Sequence, residues 1–579
     1  MNAKRQVLML VAAVLSVMLA LSACGSGSAP AAQTTPASQA PAANVPDAPA
    51  TPADRDTLAF GKFDSPVDVH IGMAVDPTDA TLADGDTVDN NVYTRHLKDE
   101  FNINVIIDWT AASGDDFNQK LALSIAGNSL PEAVVAPDRT YFLAAVKADM
   151  LYDLTNTFNT YASQAILDTH KTTNGRAIEI SSFDGKLYSM PNTSVATDGE
   201  NVMFIRQDWL DKLGLEAPTT VSEIETVARA FKEANLGAGG KTIPILGAQK
   251  DSRVYQNYLN SANIAGVFDP VFQAFDAYPG YWLDNNGTVE YGTISPNTKA
   301  ALEVLANWYK EGLIDPEFAT RDYLSEPING GQCGIFFGPW WAMGYGYADI
   351  WKNTPDADWQ AYPIYTDDGK WNTHMKEVGT SYTLISKSAS DIVAEAVVKI
   401  TNVYKRDEAM LTNKTTEAIS WYPLRNVMAP VDECEYEYEA LYKVLKGEAT
   451  AEDYNVPGSM YPLMYADAQC VTEVVKFNGE DRLHISNFDI NNPNFNRMYA
   501  LLVGDRPVAT GKPDKEVYSI TYSNTDVMTR YWSNLESLED EFIRMVITGK
   551  KPVSDFDAFA AQWLAEGGEA MLKEVATLK

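Results

Sequence analysis

The residue types that carry out most enzyme chemistry form no catalytic pattern in this sequence. No Gly-x-Ser-x-Gly motif marks a nucleophilic serine. The 78 acidic residues offer so many carboxylate pairs that none identifies a glycoside hydrolase. The five histidines have no zinc-ligand spacing; they are His70, His96, His170, His374 and His484. We therefore expect no catalytic residue, no metal site and no cofactor.

One short stretch imitates a nucleotide-binding motif. Gly240, Lys241 and Thr242 end like a P-loop, but Asn235 occupies the position of the first required glycine. The stretch also follows a predicted helix, whereas a P-loop follows a strand. Nucleotide binding is therefore rejected.

The amino-terminal residues predict export and lipid attachment. Lys4 and Arg5 precede an apolar run over residues 7–21, which only Ser16 interrupts. This run is shorter than the roughly twenty residues of a membrane-spanning helix, and it fits a secretory signal over residues 1–23. Leu-Ser-Ala-Cys at 21–24 resembles the bacterial lipobox, in which Cys24 receives the lipid. A plain signal peptide with a chance cysteine is the alternative.

Residues 24–57 are expected to form the lipidated cysteine and a disordered linker. The segment consists largely of Ala, Pro, Ser and Thr and has scarcely any large apolar side chain. Such a composition buries too little surface to offset the entropy lost on ordering. The folded part should begin near Leu58.

Composition limits the partners. The formal charge of −33 arises from 78 acidic and 45 basic side chains, so the chain has no basic surface for nucleic acid. Strongly anionic ligands are also disfavoured, unless the site reverses the local charge. The roughly 520 residues after the linker exceed one ordinary hydrophobic core, and two or more lobes are expected.

The cysteines do not define a disulfide framework. With Cys24 assigned to lipid, Cys333, Cys434 and Cys470 remain. One disulfide, for example between Cys434 and Cys470, and three buried thiols are both compatible with this number, because spacing alone establishes no pairing.

Alternating strand and helix patterns predict an α/β fold. Strands are expected at residues 67–74, 103–109 and 133–136, with helices at 91–101 and 117–126 between them. This order predicts a largely parallel sheet, whose ligands bind beyond the carboxyl ends of its strands. The loops at these ends carry Asp76 and the pair Asp138-Arg139.

The second part of the chain carries clear helix signals. Thr220 and Glu223 form a capping box before an amphipathic helix, and residues 298–312 form a helix that ends at a glycine. Two further helices are expected at 535–548 and 556–566, each followed by a glycine.

Several segments, in order along the chain, resemble the family 1 extracellular solute-binding proteins, in particular the LplA/LipO-type lipoproteins. The matching segments are DGKLYSMP (184–191), IRQDWLDKLG (205–214), WYKEGLIDPE (308–317), GIFFGPWW (334–341), ITG (547–549) and WLAEGG (563–568). Any one of them is weak evidence, but together they cover nearly the whole chain after the linker.

The resemblance implies a two-lobed periplasmic-binding-protein-like fold of type II, with a ligand cleft between the lobes. By this analogy, the first lobe comprises residues 58–190 and 377–425, and the second comprises 191–376 and 426–579. Maltodextrin- and alginate-binding proteins are relatives, so an oligosaccharide ligand is expected.

A sugar site needs flat aromatic rings for the C–H faces and polar groups for the hydroxyls. The chain has 12 Trp and 29 Tyr, most of which belong to the core. The resemblance favours Trp340, which follows Gly338-Pro339, and Trp532, just before the last helices, as stacking residues. Trp341 is a weaker candidate, with packing as the alternative.

The remaining ligand-binding candidates also follow from the likeness. Asp138 and Arg139 match positions of polar contacts in relatives, and Asp76 lies in a similar loop. Tyr382 and Tyr422 lie near the proposed crossings between lobes, as does Trp421, so packing at the hinge competes with ligand contact there.

Many relatives hold calcium in an Asp/Asn-rich loop after the capped helix. The corresponding residues 235–242 are Asn-Leu-Gly-Ala-Gly-Gly-Lys-Thr, which keep one amide and no carboxylate. Calcium needs several oxygen ligands, so its site in this loop is expected to be lost.

Together these observations predict a lipid-anchored binding protein on the outer face of the cytoplasmic membrane. It would deliver a carbohydrate to the permease and ATPase subunits of an ABC importer. A peptide or other organic solute is the alternative ligand. A lipid-anchored glycan hydrolase and a sensor or adhesin are the alternatives from other functional classes.

Overall fold

The computed structural model describes residues 52–75, 82–112, 114–250, 252–414 and 419–578. Cys24, the signal peptide and most of the linker lie outside the described residues, and so does Asp76. The expectations for them therefore stay predictions.

The first sheet has five strands. Their order is Ile103–Ala111, Val67–Ala74, Ala133–Ala136, Tyr382–Ile385 and Ser189–Pro191. The first three are parallel, as the strand–helix–strand pattern predicts, and Tyr382–Ile385 runs antiparallel to both of its neighbours. The last two strands come from distant parts of the chain, so local periodicity gave no sign that they join this sheet.

Helices and the first sheet together bury the core of the first lobe. Val69, Ile71, Leu97 and Ile103 are among its fully buried residues. The helices of this lobe in the described residues are Pro52–Ala59, Val92–Phe101, Asp115–Ala126, Arg139–Lys147, Thr155–Tyr161, Gln164–Thr172, Arg176–Ile180 and Asp391–Lys414.

The folded part begins earlier than the linker composition suggested. Residues Pro52–Ala59 form a helix instead of continuing the linker to residue 57. Arg55 in this helix is only 5% exposed and donates hydrogen bonds to the carbonyl oxygens of Asn159 at 2.7 Å and Ala162 at 3.2 Å. One arginine with distant partners thus fixes a segment whose composition alone predicts disorder.

The second sheet has four strands in the order Trp359–Tyr362, Val202–Arg206, Cys333–Gly338 and Ile243–Ile245. Val202–Arg206 is antiparallel to both of its neighbours, and Cys333–Gly338 runs parallel to Ile243–Ile245. All residues of the four strands are buried, because helices and loops cover both faces.

The second lobe contains most of the helices, and the capping box predicted in it is confirmed. The helix expected at 535–548 begins earlier, at Met528, so Trp532 lies within it. The Thr220 hydroxyl accepts from the backbone N–H of Glu223, whose carboxylate accepts from that of Thr220. The helices of this lobe in the described residues are Gln207–Leu213, Val221–Ala234, Asp269–Ala274, Pro296–Lys310, Ser325–Asn329, Ile350–Asn353, Glu433–Leu445, Met464–Val474, Phe495–Tyr499, Arg506–Thr510, Met528–Ile547, Phe556–Trp563 and Glu569–Val575.

Short strand pairs complete the described structure. They are Trp282–Asn285 with Thr288–Tyr291, Asn372–His374 with Lys515–Val517, and Ser182–Phe183 with Lys186–Leu187. Cys333, Cys434 and Cys470 are free thiols, so the alternative with a disulfide is wrong in this structure. Within the described residues, no helix is long and apolar enough to cross a membrane.

Three segments connect the two sheets and their cores, and we call them the crossings: residues 192–201, 363–381 and 425–432. They are hydrogen-bonded to one another. The Asn192 backbone N–H donates to the Ser381 carbonyl oxygen at 2.8 Å, and the Thr193 backbone N–H donates to the Val427 carbonyl oxygen at 3.0 Å. The crossings therefore form one connected layer between the lobes. The residue limits proposed for each lobe remain a prediction.

Candidate ligand site between the lobes

Trp340 lies where the second sheet meets the first crossing. It follows the strand Cys333–Gly338 and is half-buried. Its indole N–H donates to Asp198 Oδ1 at 3.1 Å, and Asp198 belongs to the first crossing. A Cβ added to Gly504 would lie only 1.9 Å from the Trp340 carbonyl oxygen, so only glycine permits this close approach. The position of Trp340 is thus constrained both at its indole N–H and at its backbone carbonyl.

Trp341 is also partly exposed, rather than packed into the core. Its indole N–H donates to Asn263 Oδ1 at 2.8 Å. Two adjacent tryptophans therefore present ring surface beside the crossings. Flat aromatic surface that stays accessible beside polar groups is the arrangement that a sugar ring requires.

A group of three charged residues lies at the carboxyl end of the first sheet. Glu377, on the second crossing, accepts two hydrogen bonds from the Arg176 guanidinium at 3.3 and 3.2 Å. Arg139 Nη1 lies 3.8 Å from Glu377 Oε2, and its Nη2 donates to the Ile180 carbonyl oxygen at 3.4 Å. Two guanidinium groups share the Glu377 carboxylate, and Arg176 Nη1 also lies 3.5 Å from Glu179 Oε2, so the charges of these side chains balance. Among the described residues, Arg139 Nε is a buried donor without a hydrogen-bond partner.

Asp138 has a structural task in the same loop. It is the N-cap of the helix Arg139–Lys147, and its Oδ1 accepts from the Thr140 backbone N–H at 2.7 Å. Capping the helix satisfies one of the unpaired N–H groups of its first turn. Asp138 remains only partly buried, so a contact with ligand through the second oxygen stays a prediction.

Lys376 connects the tryptophans to the arginine group. It precedes Glu377 on the second crossing, is 4% exposed, and donates to Ser194 Oγ at 2.6 Å. Burial lowers the pKa of Lys376, whereas the neighbouring carboxylates of Asp198 and Glu377 raise it. Burial also raises the pKa of Asp198, and Lys376 offsets part of that rise.

Further buried acids lie close to this layer. Burial raises the pKa of Glu200 to about 8, with a contribution from Glu435, whose own pKa burial raises to about 7. The pKa of the fully buried Asp505 is also well above its usual value because of burial. Burial therefore favours the protonated form of each of these carboxyl groups, which lowers the negative charge of the layer.

A separate cavity of about 310 Å³ lies away from these residues. It is bounded by the helix Pro52–Ala59, Arg406 and the segment 454–465. None of the tryptophans or arginines described above lines it, so we assign the candidate site by the clustering of exposed indoles and paired charges rather than by this cavity.

The comparison with protein families decides the identity of the chain. The model of the family described as bacterial extracellular solute-binding protein matches residues 80–410. The chain belongs to this family. The matched residues include the second sheet, every strand of the first sheet except Val67–Ala74, and the first two crossings.

Curated relatives of this solute-binding protein match only in part. It is 26% identical to Lipoprotein LipO of Bacillus subtilis over 222 residues, which are 38% of this chain and 41% of the relative. It is 25% identical to the fructooligosaccharide ABC transporter substrate-binding protein FusA of Streptococcus pneumoniae over 247 residues, or 40% and 44%. It is also 24% identical to the polygalacturonan/rhamnogalacturonan-binding protein YtcQ of Bacillus subtilis over 224 residues, which are 38% of this chain and 41% of the relative. The chain thus spans about two fifths of the length of these relatives.

Solved structures extend the likeness to nearly the whole fold. The alginate-binding protein AlgQ2 matches with a TM-score of 0.54 and 17% identity, over 89% of this chain and 98% of that chain. An HMO-binding solute-binding protein from Bifidobacterium longum infantis matches with a TM-score of 0.57 and 15% identity, over 89% and 98%. These matches confirm the two-lobed type II fold that the sequence predicted.

Three aromatic candidates prove to be core residues of the solute-binding protein. Trp532 is 5% exposed and packs edge-on against Tyr258 and Tyr291. Tyr382 is fully buried, stacks on Phe142 at 4.9 Å and donates to the Gly379 carbonyl oxygen.

The third of these aromatics, Tyr422, is 1% exposed and donates to the Ile400 carbonyl oxygen at 2.9 Å. Its neighbour Trp421 is 5% exposed. Hinge and core packing, rather than ligand contact, accounts for their positions.

Several residues that hold the site have no signal in the sequence. Asp198, Asn263, Arg176 and Glu377 were not predicted, because each acts on a partner far away in the chain. Glu377 is 201 residues from Arg176, and Asp198 is 142 residues from Trp340. Only a sequence pattern that couples such distant positions would have identified them.

In the loop at residues 235–242, a left-handed residue and a hydrogen bond within the loop stabilise the turn. Asn235 ends the helix Val221–Ala234 with φ 48°, and the Gly237 N–H donates to Thr242 Oγ1 at 2.7 Å. Within the described residues, no group of three or more His, Cys, Asp or Glu side chains is placed to hold a metal. The loss of calcium binding stays a prediction.

Proposed function

We propose that this solute-binding protein captures an oligosaccharide outside the cell and delivers it to the permease and ATPase subunits of an ABC importer. The observation that carries the proposal is the pair of partly exposed indoles of Trp340 and Trp341 at the first crossing, together with the two arginines that pair with Glu377 on the second crossing. The protein acts by binding, without catalysis.

The chemistry of the site supports a sugar. Each indole offers a face for the C–H surface of a ring, and the guanidinium groups of Arg139 and Arg176 offer donors to hydroxyl oxygens. The names of FusA and YtcQ state carbohydrate ligands, which supports the same class for this chain.

A thermal-shift and calorimetry panel tests the ligand class. Kestose, maltotriose, trigalacturonate and a tripeptide are the probes, because they separate neutral sugars, acidic sugars and peptides. At a hundred times its dissociation constant, a specific ligand stabilises the protein by about 2.7 kcal/mol. Binding of one sugar without cleavage is expected. Binding of the tripeptide alone, or release of hydrolysis products, would refute the proposal.

Trp340→Ala tests the site directly. Loss of a central aromatic contact typically costs about 2 kcal/mol or more, or roughly thirtyfold in affinity. The expected result is weaker binding of the sugar found above, with a modest loss in the free energy of unfolding. Calorimetry and denaturant unfolding of the same sample measure both quantities.

Trp532→Ala is the matched control. Because Trp532 lies in the core, its truncation should cost about 3–5 kcal/mol in unfolding free energy. A folded Trp532→Ala protein should bind the sugar with nearly wild-type affinity. The reverse pattern, with affinity lost in Trp532→Ala and kept in Trp340→Ala, would move the site to Trp532.

We also propose that the protein is anchored to the outer face of the cytoplasmic membrane through Cys24. The lipobox-like segment supports this, together with the likeness to Lipoprotein LipO. Cys24→Ala should release the protein into the medium or leave an uncleaved precursor. A mutant that still incorporates labelled lipid and stays at the membrane would show that the anchor lies elsewhere.

A further inference from the structure

The two partly exposed indoles each donate a hydrogen bond to a residue, and these two residues are hydrogen-bonded to each other. Trp340 donates to Asp198 Oδ1 at 3.1 Å, and Trp341 donates to Asn263 Oδ1 at 2.8 Å. The backbone N–H of Asn263 donates to the carbonyl oxygen of Asp198 at 2.9 Å. We call Asp198 and Asn263 the bracket.

The bracket adds a directional constraint to rings that the core covers only in part: Trp340 packs against the core of the second lobe, and both rings remain partly exposed. A tryptophan side chain has two torsions, and a half-exposed ring keeps freedom about both unless a contact removes it. Each indole here makes one directional N–H bond to a member of the bracket. Neighbouring rings whose N–H groups are both fixed in this way have defined planes before any ligand arrives.

The backbone of the bracket is also unusual. Asn263 has φ 62°, in the left-handed region that asparagine tolerates better than most residues. Its side chain is exposed, so burial does not explain this conformation. In this backbone conformation, the backbone N–H of Asn263 donates to the Asp198 carbonyl oxygen while its side-chain oxygen accepts from the Trp341 indole.

Asp198 ties the bracket to the crossings. It lies on the first crossing, and its charge interacts with Lys376 on the second crossing. The two crossings touch at this point, since a Cβ added to Gly199 would lie 2.9 Å from Lys376 Cβ. A change in the angle between the lobes would therefore move the residue that orients Trp340.

We propose that Asp198 and Asn263 are positioning residues, which hold Trp340 and Trp341 as a preformed platform and couple its orientation to the crossings. The proposal rests on the proposed function, because it assumes that the platform receives the sugar. Preformed side chains avoid the entropy that a ligand would otherwise lose in ordering them.

Asn263→Gly is the decisive variant. Glycine accepts φ 62° without strain, so the variant removes the acceptor of Trp341 while the backbone stays as it is. Asn263→Asp keeps an acceptor oxygen in the same place and is the matched control. Asp198→Asn, compared with Asp198→Ala, makes the same test for Trp340.

The first measurement needs no ligand. In protein labelled with 5-fluorotryptophan, Trp340→Phe and Trp341→Phe assign the two ¹⁹F resonances. Asn263→Gly should shift or broaden the Trp341 resonance, and Asn263→Asp should leave it close to its wild-type position. Asp198→Ala and Asp198→Asn should behave likewise at the Trp340 resonance. Unchanged resonances in both Asn263→Gly and Asp198→Ala would overturn the proposal.

The second measurement is the affinity for kestose, or for whichever probe of the panel binds. Releasing one ordered side chain, that of Trp341, should weaken binding by roughly 2- to 12-fold in Asn263→Gly. Asn263→Asp should restore most of the affinity. An equal loss in both variants would show a direct ligand contact by Asn263 instead of positioning.

The two measurements separate failure of this inference from failure of the proposed function. If no sugar binds but the resonances respond as expected, the bracket stands and the ligand class is wrong. If a sugar binds through Trp340 and the resonances do not respond, the bracket is wrong and the proposed function stands.

Discussion

At the residue scale, one buried carboxylate shows why aromatic residues near the carboxyl terminus are core. Glu539 is 3% exposed and accepts from the Trp563 indole N–H at 2.7 Å and from the hydroxyls of Tyr255 and Tyr291 at 3.0 and 3.1 Å. The rings turn their polar atoms inward to this carboxylate. They therefore cannot present a polar edge to a ligand.

Glu539 predicts a pH-dependent contribution to stability. Burial raises its pKa to about 7, while hydrogen bonds from Trp563, Tyr255 and Tyr291 partly offset the rise. The folded state then binds more protons than the unfolded state between its usual pKa near 4.5 and about 7. Over this window, the contribution of Glu539 to stability is present at low pH and is lost as the pH rises.

Glu539→Gln removes this titration. The unfolding free energy of the variant minus that of wild type should be larger at pH 8 than at pH 5. The reason is that only the wild-type protein must bury a charge at the higher pH. Denaturant unfolding at both values measures the difference. A difference between the two proteins that does not change with pH would contradict the prediction.

At the element scale, the crossings depend on close backbone contact. Gly199 on the first crossing faces Lys376 on the second, and a Cβ there would lie 2.9 Å from Lys376 Cβ and 3.0 Å from its backbone nitrogen. Both distances are too short for ordinary contact. Since the neighbouring atoms belong to the backbone and the first side-chain carbon, they cannot rotate away.

Gly199→Ala should therefore push the first two crossings apart. Overpacking of this kind costs about 1–3 kcal/mol in unfolding free energy, and the affinity for sugar should fall as well, because Asp198 is adjacent. Gly346→Ala is the control for stability alone, since the nearest atom to its Cβ would be Trp341 Cζ3 at 3.9 Å. Equal stability of the two variants would show that the crossings adjust freely.

At the scale of the whole molecule, one ion pair joins the lobes directly. Lys147 ends the helix Arg139–Lys147 of the first lobe, and Asp526 precedes the helix Met528–Ile547 of the second. Lys147 Nζ lies 2.8 Å from Asp526 Oδ1, and both side chains are largely exposed, at 70% and 75%. An exposed pair contributes little to folding, but here it acts only when the lobes are close.

Lys147→Glu should favour separation of the lobes. We expect up to about fivefold weaker ligand binding at low ionic strength, and less at high ionic strength, because salt screens exposed charges. Calorimetry at two salt concentrations and the radius of gyration from solution scattering measure the effect. Lys387→Glu is the matched control, since Lys387 pairs with Asp149 within the first lobe. Equal effects of the two substitutions would exclude a role for the pair in closure.

Local structure was largely determined by the sequence itself. The strands Val67–Ala74 and Ala133–Ala136 have the predicted bounds, and the predicted capping box begins the helix Val221–Ala234. Their signals are periodic burial, capping side chains and terminal glycines, all of which act over a few residues. The two-lobed fold was predicted from the order of the segments that resemble the family.

Only the tertiary structure decided which aromatic residues remain accessible. Trp340 and Trp532 are equally apolar, yet one is half-exposed beside a crossing and the other is buried against Tyr258 and Tyr291. The same holds for Arg55, whose partners turn a linker-like segment into a helix. Burial and hydrogen bonding of this kind join residues more than a hundred positions apart, whereas a linear pattern reports only the preferences of neighbours.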